Sequence, residues 1–266
     1  MRPLITVEEL ASRLDSVHIC DIRWDLTNPE KGLATYERGH VPGAVFVDLD
    51  RDLSGSPGSA GRHPLPDPAD FASNLGRLGI RPDSHVVAYD DVADRIAARM
   101  WWMLRSIGHD RVQVLDGGYQ AWVKAGHDVG VGTVSPEPTV YPVPDGFTGT
   151  IRHEELEGRT VVDARAAERY RGDFEPVDPK AGHIPGAINV PTSENVDERG
   201  YFRAATTLAR IYEGLESPVM SCGSGVTACH GALAMVVAGW EMPDVYVGSF
   251  SEWSRLGLPV TIGPEP

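Results

Sequence analysis

Cysteine is scarce in this 266-residue chain: Cys20, Cys222 and Cys229 are the whole set, and no two form a CxxC pair. So sparse and odd a number excludes a disulfide framework and argues against a structural zinc site. Thiols kept reduced fit the cytoplasm, which is the expected compartment. Long apolar runs are missing too, since no stretch approaches the roughly 18 residues of a membrane span. The opening MRPLITVEELASRLDSV lacks the apolar core and cleavage signature of an export signal. It reads instead as an early helix, with Thr6 as N-cap and Glu9 three residues on. Cations are also in short supply: 24 Lys and Arg stand against 38 Asp and Glu, a formal net charge of −14. Nucleic acid and anionic membrane are thereby excluded as expected partners, because both need a cationic surface. An anionic substrate would need positive charge concentrated at its site against that global field.

What is present is a duplication. "HICDIRWD" reads as a short strand ending at Asp21 and Arg23, followed by "YERGHVPGAVFVDL"; "TVVDARAAERYRG" ends a strand at Asp163 and Arg165, followed by "KAGHIPGAINVP". His40 and His183 therefore occupy equivalent turns. Their presence in both halves marks them as structural rather than catalytic. Further on, "DGGYQAWVKAGHDV" pairs with "VGSFSEWSRLGLPV", setting Trp122 opposite Trp253, 131 positions away. The first half carries extra residues in the Gly/Ser/Pro-rich segment 53–68. Between the halves, "TVSPEPTVYPVPDGFTGT" holds four prolines and predicts a stiff extended linker. The expected domains are 1–131 and 151–266, joined by residues 132–150. Within each half, short β-rich runs alternate with helical patterns, and Gly108 and Gly239 sit at helix C-cap positions. Such alternation implies an α/β fold with two mainly parallel sheets flanked by helices.

The run "PVMS-CGSGVT-ACHGALAMVVAG" predicts strand, tight loop and helix, with Cys222 at the base of the loop. A loop of this kind holds anions, because bare backbone amides and the positive end of the helix face the ligand. Gly223 and Gly225 allow the close backbone approach that a cradle needs. Such a cradle favours thiolate over thiol and would suit a persulfide anion equally. Cysteine phosphatases place an arginine six positions after the cysteine, where Ala228 stands here, so phosphate-ester chemistry is not expected. Cys229, His230 and Cys20 read as core residues, and Trp101 and Trp102 as packing.

"CGSGVTACH" resembles the active-site loop of the rhodanese superfamily, in the form typical of 3-mercaptopyruvate sulfurtransferases. The resemblance extends over nearly the whole chain through both GH-[IV]-PGA turns, "WWMLRSIGH", "LDGGYQAW" and "GSFSEW". It implies two tandem rhodanese-like domains, the N-terminal one catalytically inactive. Applying the 131-residue offset places Asp91 opposite Cys222, and a carboxylate cannot carry sulfane sulfur. The resemblance further implies a transfer of sulfur from 3-mercaptopyruvate, or alternatively thiosulfate, through a Cys222 persulfide to a thiol, a thioredoxin-like dithiol or cyanide. A carrier or regulatory module that turns over nothing alone is the remoter alternative. No metal or organic cofactor is required.

By the same resemblance, Ser224, His63 and Asp50 match a proton relay for the pyruvate enolate that leaves. Read from their surroundings alone, His63 is a solvent-facing loop residue and Asp50 a turn cap. Arg169 matches an arginine that contacts the donor's anionic end, with Gly223, Gly225, Val226 and Thr227 lining the cradle, while Arg171 reads as a surface residue. A second substrate arginine is expected after a Glu-Pro pair, but "FEPVDP" puts Val177 there. Lys180 and Arg95 are the residues that could compensate.

Overall fold

The computed structural model describes residues 1–266, and these divide into two compact units. The first comprises Met1–Ser54, Pro66–Thr148 and Glu198–Tyr201; the second comprises Gly55–Leu65, Gly149–Asp197 and Phe202–Pro266. The segment Gly55–Leu65, which the sequence reading places in the first domain, thus packs with the second unit. No helix is long and apolar enough to cross a membrane.

In the first unit the strands are β1 (Leu4–Ile5), β2 (His18–Asp21), β3 (Val45–Phe46), β4 (Val86–Tyr89) and β5 (Val112–Leu115). They form one sheet in the order β1-β5-β4-β2-β3, and every pairing is parallel. Its helices are α1 (Val7–Ala11), α2 (Lys31–Arg38), α3 (Leu49–Asp52), α4 (Pro68–Arg77), α5 (Ala97–Ser106) and α6 (Gly118–Lys124). The central strand β4 is buried along its whole length, as a parallel strand covered on both faces must be. Thr6 caps α1 reciprocally with Glu9, the capping box its sequence predicts. Trp101 and Trp102 on α5 are 1% and 0% exposed, which makes them core. Residues 133–144 take no regular secondary structure, and Thr139 is tied to the Gly76 carbonyl through its N–H at 2.8 Å.

The second unit repeats the plan with β6 (Thr150–Ile151), β7 (Val161–Asp163), β8 (Ile188–Asn189), β9 (Val219–Ser221) and β10 (Asp244–Tyr246). The order β6-β10-β9-β7-β8 is the first order shifted by five, again all parallel. Its helices are α7 (Ala167–Arg171), α8 (Ala205–Ile211), α9 (Ala228–Val237) and α10 (Ser249–Arg255). Helix α9 is apolar almost all round and buried from Ala228 to Met235, the signature of a central helix. Gly108 and Gly239 follow α5 and α9 with φ of +82° and +94°, the left-handed C-cap geometry that glycine adopts without strain.

The histidines of the duplicated turns are buried and bonded to backbone. His40 Nδ1 lies 3.0 Å from the Tyr36 carbonyl and His183 Nδ1 lies 2.8 Å from that of Tyr170. Each ring also stacks on the same tyrosine. These contacts hold the turn, as expected of a feature repeated in both halves.

Candidate active site

Cys222 is the first residue beyond β9, the central strand, at the carboxyl edge where ligands of open α/β sheets bind. Its sulfur accepts the Gly225 N–H at 3.1 Å, and the Ser249 hydroxyl lies 3.9 Å away. Gly225 has φ of +75°, and a Cβ there would collide with the Val247 carbonyl. Only glycine permits this turn. The N–H groups of Gly223, Ser224, Val226, Thr227 and Ala228 donate to no group of the protein. Buried amides are nearly always paired, so a run of bare ones beside a thiol is a built site for an anion. Cys222 is 1% exposed, so its thiol is buried beneath the loop.

Three bonds from the start of α10 brace this loop. Cys222 N–H donates to Ser249 Oγ at 3.1 Å, while the Phe250 and Ser251 N–H groups donate to the Cys222 and Gly223 carbonyls at 3.0 and 2.8 Å. Ser249 takes φ of +50°, a region a non-glycine residue enters at a cost. No motif in the sequence announces this role. The available signal was that the first-half copy has glycine at this place, Gly118, with φ of +59°.

The equivalent loop of the first unit is built differently. Strand pairing sets Asp21 opposite Tyr89 and Asp163 opposite Ser221, so the residue matching Cys222 is Asp90. This corrects the assignment of Asp91. The 131-residue spacing holds at the tryptophans, whereas the first-half loop contains one residue more before them. Asp90 is buried, and its carboxylate accepts the N–H groups of Val92 (2.7 Å), Asp94 (2.9 Å), Ile96 (2.6 Å) and Ala97 (2.9 Å). Burial pushes its carboxyl up from the ordinary value, while the amides of Ala97, Val92 and Ile96 pull it back. Amides that stay bare around Cys222 are thus satisfied by an internal carboxylate in the copy.

Of the other expected residues, the structure brings His63 and Ser224 to Cys222's loop: His63 Nδ1 lies 2.8 Å from Ser224 Oγ. His63 is 6% exposed, so it is not the solvent-facing loop residue its surroundings suggest. Segment 55–65 reaches this position because Gly61, with φ of +103°, lets its backbone lie against Ser251 and the Gly248 carbonyl. The Arg62 N–H then donates to Ser251 Oγ at 3.1 Å. Asp50 lies on α3 in the first unit and accepts the Trp24 indole N–H at 2.8 Å.

Arg169, on α7, donates through Nε and Nη2 to Glu175 and through Nη2 to Asp178 at 3.1 Å. Salt-bridging to Arg169 and the N–H groups of Asp178 and Val177 hold the Glu175 carboxyl below its ordinary value despite burial. Val177 contributes only its N–H, to Glu175 Oε1 at 2.9 Å. Lys180 turns to the Leu258 carbonyl at 2.9 Å, and Arg95 belongs to the first unit. Arg171 forms a surface pair with Asp173.

Cys229 donates its thiol to the Gly225 carbonyl at 3.2 Å, steadying the loop from below. His230 stacks on Phe202. Cys20 is fully buried, and burial drives its thiol far up.

Residues 6–125 and 151–256 each match the rhodanese-like domain family. A Pseudomonas aeruginosa protein described as "Probable 3-mercaptopyruvate sulfurtransferase" is 41% identical over 94% of both chains. The thiosulfate sulfurtransferase of Rattus norvegicus is 34% identical over 98% of this chain and 94% of its own. Among solved structures, the 3-mercaptopyruvate sulfurtransferase from Leishmania major superposes with a TM-score of 0.87 at 32% identity, covering 96% of this chain and 75% of that one. With both halves matched and this degree of identity along nearly its full length, the chain belongs to the rhodanese family as a tandem two-domain member.

Proposed function

We propose that the protein is a sulfurtransferase that moves sulfane sulfur from 3-mercaptopyruvate to a thiol, a thioredoxin-like dithiol or cyanide through a persulfide on Cys222. The observation that carries this reading is the contrast between the two loops: bare amides surround Cys222, whereas Asp90 consumes their counterparts. A site with unpaired donors and a sulfur at its base stabilises a thiolate, and equally a persulfide one atom longer.

Chemically, the Cys222 thiolate attacks the donor sulfur, and the carbon–sulfur bond breaks towards the pyruvate enolate. The donor's thiol proton ends on the enolate carbon, so one thiolate and one mercaptopyruvate give one persulfide anion and one pyruvate, with charge conserved. Ser224 and His63 form the hydrogen-bonded pair placed to carry that proton. A thiol, dithiol or cyanide then removes the outer sulfur and returns the thiolate, a ping-pong course. Thiosulfate fits the same cradle as an alternative donor: attack on its outer sulfur expels sulfite and requires no proton transfer. The first unit, with Asp90 in place of a sulfur, is read as non-catalytic.

Mass spectrometry tests the reading. Treating the protein with 3-mercaptopyruvate should add about 32 Da, one sulfur, on the peptide containing Cys222, reversed by a thiol as persulfides are. Cys222→Ser should abolish it. Absence of the adduct with both donors would sink the proposal, and an adduct with thiosulfate alone would transfer it to that donor.

A further inference from the structure

The arginine missing at Val177 leaves the donor's anionic end with one recognised guanidinium, Arg169. We infer that Arg62, on the segment that docks against α10, supplies the second. This rests on the sulfurtransferase reading and names the residue that makes its site selective for anionic donors.

Geometry carries the inference. A Cβ built on Gly223, the residue after the reactive cysteine, would lie 2.9 Å from Arg62 Nη2 and 3.4 Å from Arg169 Nη1. Two guanidinium edges therefore converge on the rim of the cradle. Each guanidinium is held from behind by carboxylate: Arg62 Nη1 pairs with Asp178 Oδ1, while Arg169 Nη2 pairs with Asp178 Oδ2 and Glu175. The side chain of Asp178 is fully buried, while those of Arg62 and Arg169 are 15% and 20% exposed. One buried carboxylate thus clasps both arginines and leaves Arg62 Nη2 and Arg169 Nη1 turned towards Gly223. Planar N–H pairs of this kind suit a carboxylate or a sulfonate-like group.

A side chain at Gly223 would press on the tip of Arg62 and turn it away from the cradle. Across the cluster, Arg62, Arg165 and Arg169 face Asp163, Glu175 and Asp178. Its selectivity for anions therefore comes from directed N–H groups and not from excess charge.

The test reads Cys222 with two alkylating probes of similar size, anionic iodoacetate and neutral iodoacetamide, alongside steady-state kinetics with each sulfur donor. In Arg62→Ala, the iodoacetate rate should fall about tenfold relative to iodoacetamide, the scale of one charge-assisted hydrogen bond. KM for the donor should rise by at least as much, with kcat changed much less. Adding Val177→Arg to that variant should restore both. A ratio and KM that stay at wild-type values would overturn the role, as would equal slowing of both probes, which marks a merely structural tie to Asp178. The alkylation ratio needs no sulfur transfer, so a wild-type protein that forms no persulfide would defeat the functional reading and leave the clamp to be judged by the ratio.

Discussion

At the scale of single residues, the His63–Ser224 pair separates the two candidate donors. Expulsion of pyruvate enolate requires a proton, whereas expulsion of sulfite does not. Ser224→Ala and His63→Asn should therefore lower kcat with 3-mercaptopyruvate by about 100-fold or more, the usual scale of general acid–base catalysis. Turnover of thiosulfate should stay within a few-fold. Equal losses with both donors would show that the pair positions the loop and carries no proton. The Cys222 loop is legible in the sequence because a short, unusual string carries it, whereas the roles expected of Ser224 and Arg169 come from resemblance. His63 is legible only through resemblance: its 2.8 Å contact joins residues 161 positions apart, and no local pattern foretells such an approach. Arg62 escaped for the same reason, although it adjoins His63. Its importance lies in which side chain it faces, not in any motif.

At the scale of elements, the alternation of strands and helices and the caps of α1, α5 and α9 follow from local chemistry. The segment 55–65 shows where that logic stops. Its glycines and prolines read as a loop of the first half, yet Gly61 and Ser251 dock it to the second unit. The one-residue difference between the two loops misled the spacing argument as well, because register in a parallel sheet is set by hydrogen bonding and not by distance from a tryptophan. The loop after β4 offers its own prediction. Asp90→Ala would leave four N–H groups without their acceptor, and each buried orphan costs about 1–3 kcal/mol. The first unit should lose several kcal/mol of stability, visible as a lower urea midpoint. Asp90→Asn, which retains one carbonyl oxygen, should lose less. A midpoint unchanged in both variants would show that those amides find other partners at no cost.

At the scale of the whole molecule, a chain of net charge −14 handling an anion has its long-range field opposed to its chemistry. Screening shortens that field to about 8 Å at physiological ionic strength, while the N–H groups of the cradle and the two arginines act at contact. The value of kcat/KM for an anionic donor should therefore rise as salt is added from low concentration, opposite to an electrostatically steered enzyme. A steady fall with salt would mean that local positive charge reaches further than the geometry allows.

The bracing of the Cys222 loop by α10 has a consequence for how the two copies of a duplicated fold hold their equivalent loops. The copy that closes on its own aspartate is held in shape by the group at its centre. A loop that reserves most of its donors for a transient guest has a slighter tie at its centre, the Gly225 N–H to the Cys222 sulfur, and is propped from the rim. Phe250 has a counterpart in the first unit, where the Tyr119 N–H donates to the Asp90 carbonyl at 2.9 Å; Ser249 and Ser251 are the props that the Cys222 loop adds, and they stand outside the motif that carries the cysteine.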